Sequence, residues 1–458
     1  MAIIPQPQLF SWDQVEAASD VDRLQMLVEA LPDEDLMRTL EAERKGKRDD
    51  YPIRAVWNSL LAGIVFQHRG VESLRRELQR NAQLRQVCGF DVFRGANAVP
   101  PEWVYTRFGK KLWRHRDAVE RMIDRLIEEL AAVLPDLGRR LAVDSKALAS
   151  FAKPPRRDAA AREPDGRRDL DADWGTKTYQ GVREDGTVWE KITHWFGYKL
   201  HLLVDAVYEL PLAYAVTKAS AHDSPHLLPL VETLGKRHPP LVERAQYLSA
   251  DKAYDSKENN QDLFDAHGIR PLIAIRATWK EEPDRPRPPY PDRVDTVFYT
   301  EQGEVLCRCR HGEANERDNC TAMAYEGFEA DRGTLKYRCP AKAHGIACTQ
   351  QDLCHGGCQP AHGRIVRIPL DLDRRIFTPL PRDSKAWPRE YKHRTAVERV
   401  NSRLDVSFEF EHHTIRGLNK MTLRAGLTVL VMLGMALGWL RRGQRQYLRS
   451  LVGHPRAA

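Results

Sequence analysis

The longest apolar stretch of the chain, Ala425 to Leu440, sets the first limit on what it can fold into. Gly426, Thr428, Gly434 and Gly438 are embedded in it, and it falls short of the roughly 20 apolar residues that span a bilayer. It reads as a buried core helix, so no membrane partner is expected. The first residues, Met1-Ala-Ile-Ile-Pro-Gln-Pro-Gln, lack the charged and apolar regions of a signal peptide, which gives a cytoplasmic expectation. A chain of 458 residues, 42% hydrophobic and 29% charged, is that of an ordinary globular protein with room for two or three domains. Its net charge of +7 permits a polyanionic partner without requiring one.

Up to residue 135 the periodic stretches are helical. Val21, Leu24, Leu27, Val28 and Leu31 stripe residues 11–45, and Ile53–Gln67 follows the stop at Asp49-Asp50-Tyr51-Pro52. Residues 71–87 carry Arg75 and Arg76, and the helix after Pro100-Pro101 carries Arg107, Lys110 and Lys111. Short helices with Gly or Pro turns and basic faces suit a DNA-binding helical domain, although ordinary solvated surfaces hold arginines too. Val119, Met122, Ile123, Leu126, Ile127 and Leu130 form the last stripe.

Strands and helices then alternate. Arg140 to Lys146 reads as a short strand ending in an acid, Asp144, and residues 153–173 as a flexible loop. Residues 189–207 and 212–217 read as an antiparallel hairpin turning at Glu209-Leu210-Pro211, with Trp189, Trp195 and Phe196 in the core. After a helix from Pro225 to Leu234, Tyr247 to Asp251 is a second short strand ending in an acid. A helix from Lys257 to His267 and a strand from Ile269 to Ile275 follow. At the carboxyl edge of an α/β sheet such acids converge, and two carboxylates repel unless a divalent cation neutralises them. Asp205 reads instead as the start of a turn, Asp223 as a helix cap before Pro225, and Asp171 and Asp173 as loop residues. A third carboxylate would complete a two-cation site for in-line phosphoryl transfer. Tyr391 to Leu404 reads as one helix with Tyr391, Arg394 and Glu398 on a common face, and Glu398 is the candidate; alone, such a face is as readily a solvated ion-pair surface.

Together Asp144, Asp251 and Glu398 resemble the DDE triad of bacterial insertion-sequence transposases. Leu141-Ala-Val-Asp-Ser-Lys is similar to the first-aspartate strand and Ala250-Asp-Lys-Ala-Tyr-Asp to the second. Phe196-Gly-Tyr-Lys-Leu-His-Leu-Leu-Val-Asp, with Leu210-Pro-Leu-Ala and Ala221-His-Asp-Ser, resembles the hairpin between them. Tyr391, Arg394 and Glu398 match the family's Y-x2-R-x3-E-x6-K signature, whose final lysine is replaced by Asp405. Arg403 is close in sequence but about 140° around the helix from Glu398.

The resemblance implies an α/β fold with a ribonuclease H-like catalytic core, a mixed sheet flanked by helices. It implies two Mg2+ or Mn2+ ions held by Asp144, Asp251 and Glu398, cleavage at the ends of a mobile element, and attack of the freed 3′-hydroxyl on target DNA. Arg394 would hold a phosphate, Tyr391 would pack on the strand, and Lys146 beside the first acid would touch the DNA backbone. The implied partners are DNA, at the element ends and the target, and a second copy in a synaptic homodimer, placing the chain with the nucleoid in the cytoplasm. A repair or structure-specific endonuclease of the same fold, or a silent DNA-binding derivative, are the alternatives.

Seven of the eight cysteines lie between Cys307 and Cys358. In a reducing compartment such a cluster suggests a metal before disulfides, and one structural Zn2+ on Cys339, Cys348, Cys354 and Cys358 is the expected arrangement, against reduced, partly buried thiols. The expected domains are a helical DNA-binding region at 1–135, the core at 136–276 and 376–440, a Cys-rich insertion at 277–375, and a basic tail at 441–458.

Overall fold

The computed structural model describes residues 20–44, 50–154, 169–183, 185–280, 285–292, 295–308, 320–345, 348, 352, 354 and 363–449. The start of the helix expected over 11–45, most of the loop expected over 153–173, Cys309, Cys358 and the end of the basic tail lie outside these residues. The architecture is mixed α/β, with both parallel and antiparallel strand pairs and many helices. It divides into two compact units, neither continuous in sequence. Met1–Leu137, Ser145–Ala221 and Ala396–Ala458 form the first; Gly138–Asp144 and His222–Thr395 form the second.

The first unit begins with helices α1 (Asp20–Ala30), α2 (Glu34–Ala42), α3 (Ile53–Val65), α4 (Val71–Arg80), α5 (Ala82–Cys88), α6 (Glu102–Arg114) and α7 (Arg116–Val133). Local signals set their ends. The Asn81 side chain accepts from Leu84 N at 2.9 Å to start α5, and Gly89, with φ 92°, ends it in the left-handed region. The expected α7 stripe from Val119 to Leu130 is buried. It packs against α14 (Leu418–Arg441), which is buried from Ala425 to Trp439 and also meets α1. The glycines in the apolar run permit this close approach: a Cβ at Gly434 would lie 2.6 Å from Leu27, and one at Gly438 would lie 2.5 Å from Met26. By length and composition α14 could cross a membrane, yet 83% of its most apolar window is buried inside the protein. Each such buried aliphatic side chain contributes about 1.5–3 kcal/mol, which makes α14 the core of its unit.

The same unit contains strands β2 (Asp173–Val182), β3 (Val188–Asp205) and β4 (Leu210–Lys218), with β3 paired antiparallel to β2 and β4. The β3–β4 hairpin is the expected one; β2 was not expected. Trp189 is also not a core residue. It is 37% exposed and lies across the ladder from Gly181, as Trp195 does from Gly175. Each indole covers the backbone of a glycine on the facing strand, so these rings pack on the sheet surface instead of in the core.

β1 (Arg140–Ala149) starts in the second unit and ends in the first. In the second unit it pairs parallel with β5 (Tyr247–Ala250), which pairs parallel with β6 (Arg270–Ile273). Helices α8 (Leu227–Arg237), α9 (Pro239–Glu243) and α10 (Lys257–Asp265) supply the crossovers that parallel strands need. Two antiparallel sheets follow, β7 (Val297–Tyr299), β8 (Val305–Arg308) and β9 (Cys320–Ala322), then β10 (Ala324–Glu329), β11 (Thr334–Arg338) and β12 (Ile365–Pro369). They share a core of Val297, Val305, Leu335, Tyr337 and Ile368. Arg375 ties this region to the turn before α10, donating to Asp255 at 3.1 Å and Glu301 at 2.9 Å. The last helices are α11 (Pro340–His344), α12 (Trp387–Tyr391) and α13 (Thr395–Phe408), whose body from Ala396 onward belongs to the first unit.

Candidate active site

The register of β1 against β5 sets Arg140, Leu141 and Ala142 beside Tyr247, Leu248 and Ser249. Asp144 and Asp251 each lie two residues beyond the last of these pairs, Asp144 still within β1 and Asp251 one residue past the end of β5. Neighbouring residues of parallel strands project to the same face, so the paired strands lead toward both acids at the same edge of the sheet. The strand does not end at Asp144, as expected from sequence. It continues to Ala149, with Leu148 buried between the exposed Ala147 and Ala149, the alternation of a half-covered strand. β5 does end at Ala250. Asp251 starts a short 3-10 turn over Lys252–Tyr254, and one of its oxygens accepts from Ala253 N at 2.9 Å.

The helix expected from Tyr391 to Leu404 is not one regular helix. Pro388 in the first turn starts α12, residues Lys392–Arg394 tighten into a 3-10 turn, and α13 begins at Thr395. A 3-10 turn aligns positions three apart, and the Arg394 guanidinium accordingly lies over the Tyr391 ring at 5.8 Å. Tyr391 also stacks on Trp387 at 4.3 Å with 15° between the planes. Trp387 escaped the sequence reading, although its spacing of four from Tyr391 is the signal that would have found it. α12 is anchored to β1 by Glu390, which accepts from Arg140 at 2.8 and 3.4 Å. That hydrogen bond, beyond any other influence, holds the Glu390 carboxyl below its usual range. Glu398 lies exposed in the first turn of α13.

Asp405, the acid where the family signature has a base, receives Lys146 Nζ from β1 at 2.5 Å, and Glu411 binds the same ammonium. Burial pulls the Lys146 pKa down, but the two carboxylates outweigh it and hold it above the usual lysine value. Lys146, expected to touch DNA, is therefore engaged within the protein. Arg403 is committed elsewhere, donating to the Glu209 carboxylate at 3.0 Å and its carbonyl at 2.9 Å.

The remaining candidates divide in the same way. Arg75 and Arg76 pair with Glu72, Lys111 with Glu43, and Arg107 covers the Trp103 ring, whereas Lys110 is exposed. Asp205 accepts from Val207 N and Tyr208 N as a turn residue, and Asp171 and Asp173 accept from Leu418 N and Ser220 N. Asp223 occupies the cap position of Ser224–His226 but makes no capping bond with its side chain. Of the expected zinc ligands, Cys354 lies against the Thr296 hydroxyl at 3.6 Å, and Cys339 precedes α11, packed beside Gly363. Among the described residues no group of three or more His, Cys, Asp or Glu that could hold a metal is gathered, of cysteines or of carboxylates, and Cys358 lies outside those residues.

Residues 162–433 match the family model described as the transposase DDE domain. The chain belongs to the transposase DDE domain family. The matched part of this transposase domain includes Asp251 and Glu398 and begins after Asp144. A protein of Burkholderia cepacia described as a transposase of insertion sequence element IS402 is 40% identical over 86 residues, 18% of this chain and 39% of that relative. The alignment thus spans about two fifths of that relative's length. A solved structure of the piggyBac transposase synaptic complex with hairpin DNA overlaps 96% of this chain and 81% of its own at 10% identity, with a TM-score of 0.39.

Proposed function

We propose that this chain is the DNA transposase of an insertion sequence, built on a ribonuclease H-like core. It binds the terminal inverted repeats as a homodimer in the cytoplasm, cuts there, and joins the freed ends to target DNA. The observation that supports the reading is the parallel β1–β5 pairing, Leu141 beside Leu248 and Ala142 beside Ser249, with Asp144 and Asp251 each two residues beyond the last pair. Two carboxylates at one sheet edge offer hard oxygen donors and mutual repulsion, the chemistry that suits Mg2+ or Mn2+. Asp144 and Asp251, with Glu398 as third ligand, would hold two such ions. When bound, these stabilise charge on the attacking and leaving oxygens of an in-line displacement.

The protein's own groups do the rest. Arg394, aligned by the 3-10 turn, offers a guanidinium fork to a backbone phosphate. Tyr391, backed by Trp387, gives a flat face to the strand near the cut. Arg140 and Glu390 hold that stack to the strand that carries Asp144. The test is cleavage of DNA bearing the element ends in Mg2+ by Asp144→Asn, Asp251→Asn and Glu398→Gln. Each should lower the rate by at least about a thousandfold, the loss of roughly 4 kcal/mol of transition-state stabilisation. Wild-type cutting by any of the three would remove that residue from the site, and cutting without joining would favour a simple nuclease.

A further inference from the structure

The first unit encloses a cavity of about 810 Å3 between α3, α4, α6 and the start of α14, in the size range of ligand pockets, about 300–1,000 Å3. Its floor is apolar, with Leu60, Ile64, Leu112, Leu423 and Leu427. Its polar wall carries Arg69, Lys110, Arg416, Lys420 and Arg424, and no Asp or Glu lines it.

One member of that wall, Arg424, is electrostatically incomplete. Half-buried Arg424 donates to the Glu409 and Phe410 carbonyls at 3.3 and 3.4 Å and lies over the Phe410 ring at 5.4 Å. Its Nε is shut off from solvent with no hydrogen-bond partner, and burial alone lowers its pKa, to about 10, which leaves it charged at neutral pH. Burial first, then Arg424 and Arg69, push the adjacent His413 down to about 4, another sign of the same positive field. A desolvated charge without a counter-charge is costly, and an entering anion relieves that cost.

The shape narrows the anion. A duplex keeps its base faces stacked inside and would present phosphates and groove edges, which leaves the leucine floor without apolar base faces to cover it. A single strand presents phosphates and apolar base faces together, and arginine planes and aromatic rings are what such bases stack on. The rim supplies both, because Arg69 and Arg416 lie over the Phe151 ring at 5.3 and 5.4 Å. We infer that this groove binds a short single-stranded DNA segment, with phosphates on the arginine and lysine wall and bases on the apolar floor. The DNA setting rests on the transposase reading.

The test is fluorescence anisotropy of a labelled short oligothymidylate with the full chain carrying Asp251→Asn, without divalent cations. The oligothymidylate should bind more tightly than a duplex of equal length, and more tightly than an abasic oligomer. Adding Lys110→Glu and Lys420→Glu, both at exposed positions, should weaken binding about tenfold or more at an unchanged melting temperature. Equal affinity with and without the two lysines, or equal affinity for the abasic oligomer, would overturn the inference. Oligothymidylate binding by the Asp251→Asn chain, together with failure of the wild-type chain to cut end-bearing DNA in Mg2+, would uphold the groove and overturn the transposase reading instead.

Discussion

The ammonium of Lys146, two residues beyond Asp144 on β1, lies 2.5 Å from the carboxylate of Asp405, seven residues beyond Glu398 on α13. The signature that the chain resembles has a lysine where Asp405 stands. Here the acid is on the helix and the base arrives from the strand, so the position still carries an amine. Lys146 and Asp405 have side chains only 11% and 32% exposed, so solvent screens the pair weakly. Lys146→Met should cost about 1.5–3 kcal/mol, the range for hydrogen bonds to charged groups. Lys146→Asp and Asp405→Lys should each lower both melting temperature and DNA cleavage. The double exchange should recover most of both, and failure to recover either would mean that the pair has no coupling of its own.

Gly197 on β3 is the tightest point beside β1. A Cβ there would lie 2.1 Å from the Leu148 carbonyl oxygen, which is backbone and cannot swing away. Gly197→Ala should cost at least about 1–3 kcal/mol by overpacking, read as a lower denaturant midpoint. The adjacent ladder bond from Ser150 N to Phe196 O, 2.8 Å, should exchange its amide hydrogen faster in the variant.

The stack of Trp387, Tyr391 and Arg394 predicts a separation of activity from stability. An aromatic pair adds about 0.5–1.5 kcal/mol beyond burial. Trp387→Ala should therefore lower the melting temperature slightly while reducing cleavage of end-bearing DNA severalfold. Trp387→Phe should restore cleavage. Equal losses for the Ala and Phe variants would show that the stack does not serve the site.

Buried Asp169 makes stability depend on acid. Burial raises its pKa, but hydrogen bonds from Tyr198, Gly417 N at 2.8 Å, Ser150 at 2.7 Å and Asp171 N at 3.2 Å prevail and hold it below the usual aspartate range. A carboxyl with a depressed folded pKa stabilises the fold above its unfolded pKa of about 3.9, and loses that effect as pH falls through the folded value. The melting temperature of wild type should exceed that of Asp169→Asn at neutral pH, and the gap should close below about pH 4.

Much of this was legible in the residues. The α7 stripe, the apolar run of α14 and the β3–β4 hairpin declare themselves by period, because each has one environment along its length. The acids at Asp144 and Asp251 were legible through the apolar strands that lead into them. β2 was not, since its exposed faces and two glycines leave no alternation to read. The continuation of β1 beyond Asp144 was missed because a charged Ser-Lys step interrupts its apolar run. The ion pairs were beyond reach: Arg140 meets Glu390 across 250 residues and Lys146 meets Asp405 across 259, and nothing local announces such partners.

The placement of α14 also sets a timetable. The helices α1 and α7 emerge early during synthesis, yet α14, which packs on them, follows only after residues 134–417 have been made. At about 5–20 residues per second, α7 waits roughly 15–60 s for Arg441 to leave the ribosome. Through that interval the stripe from Val119 to Leu130 is open to chaperones, to proteases and to other nascent copies, so the yield of transposase is set by the order of translation as well as by the stability of the finished fold.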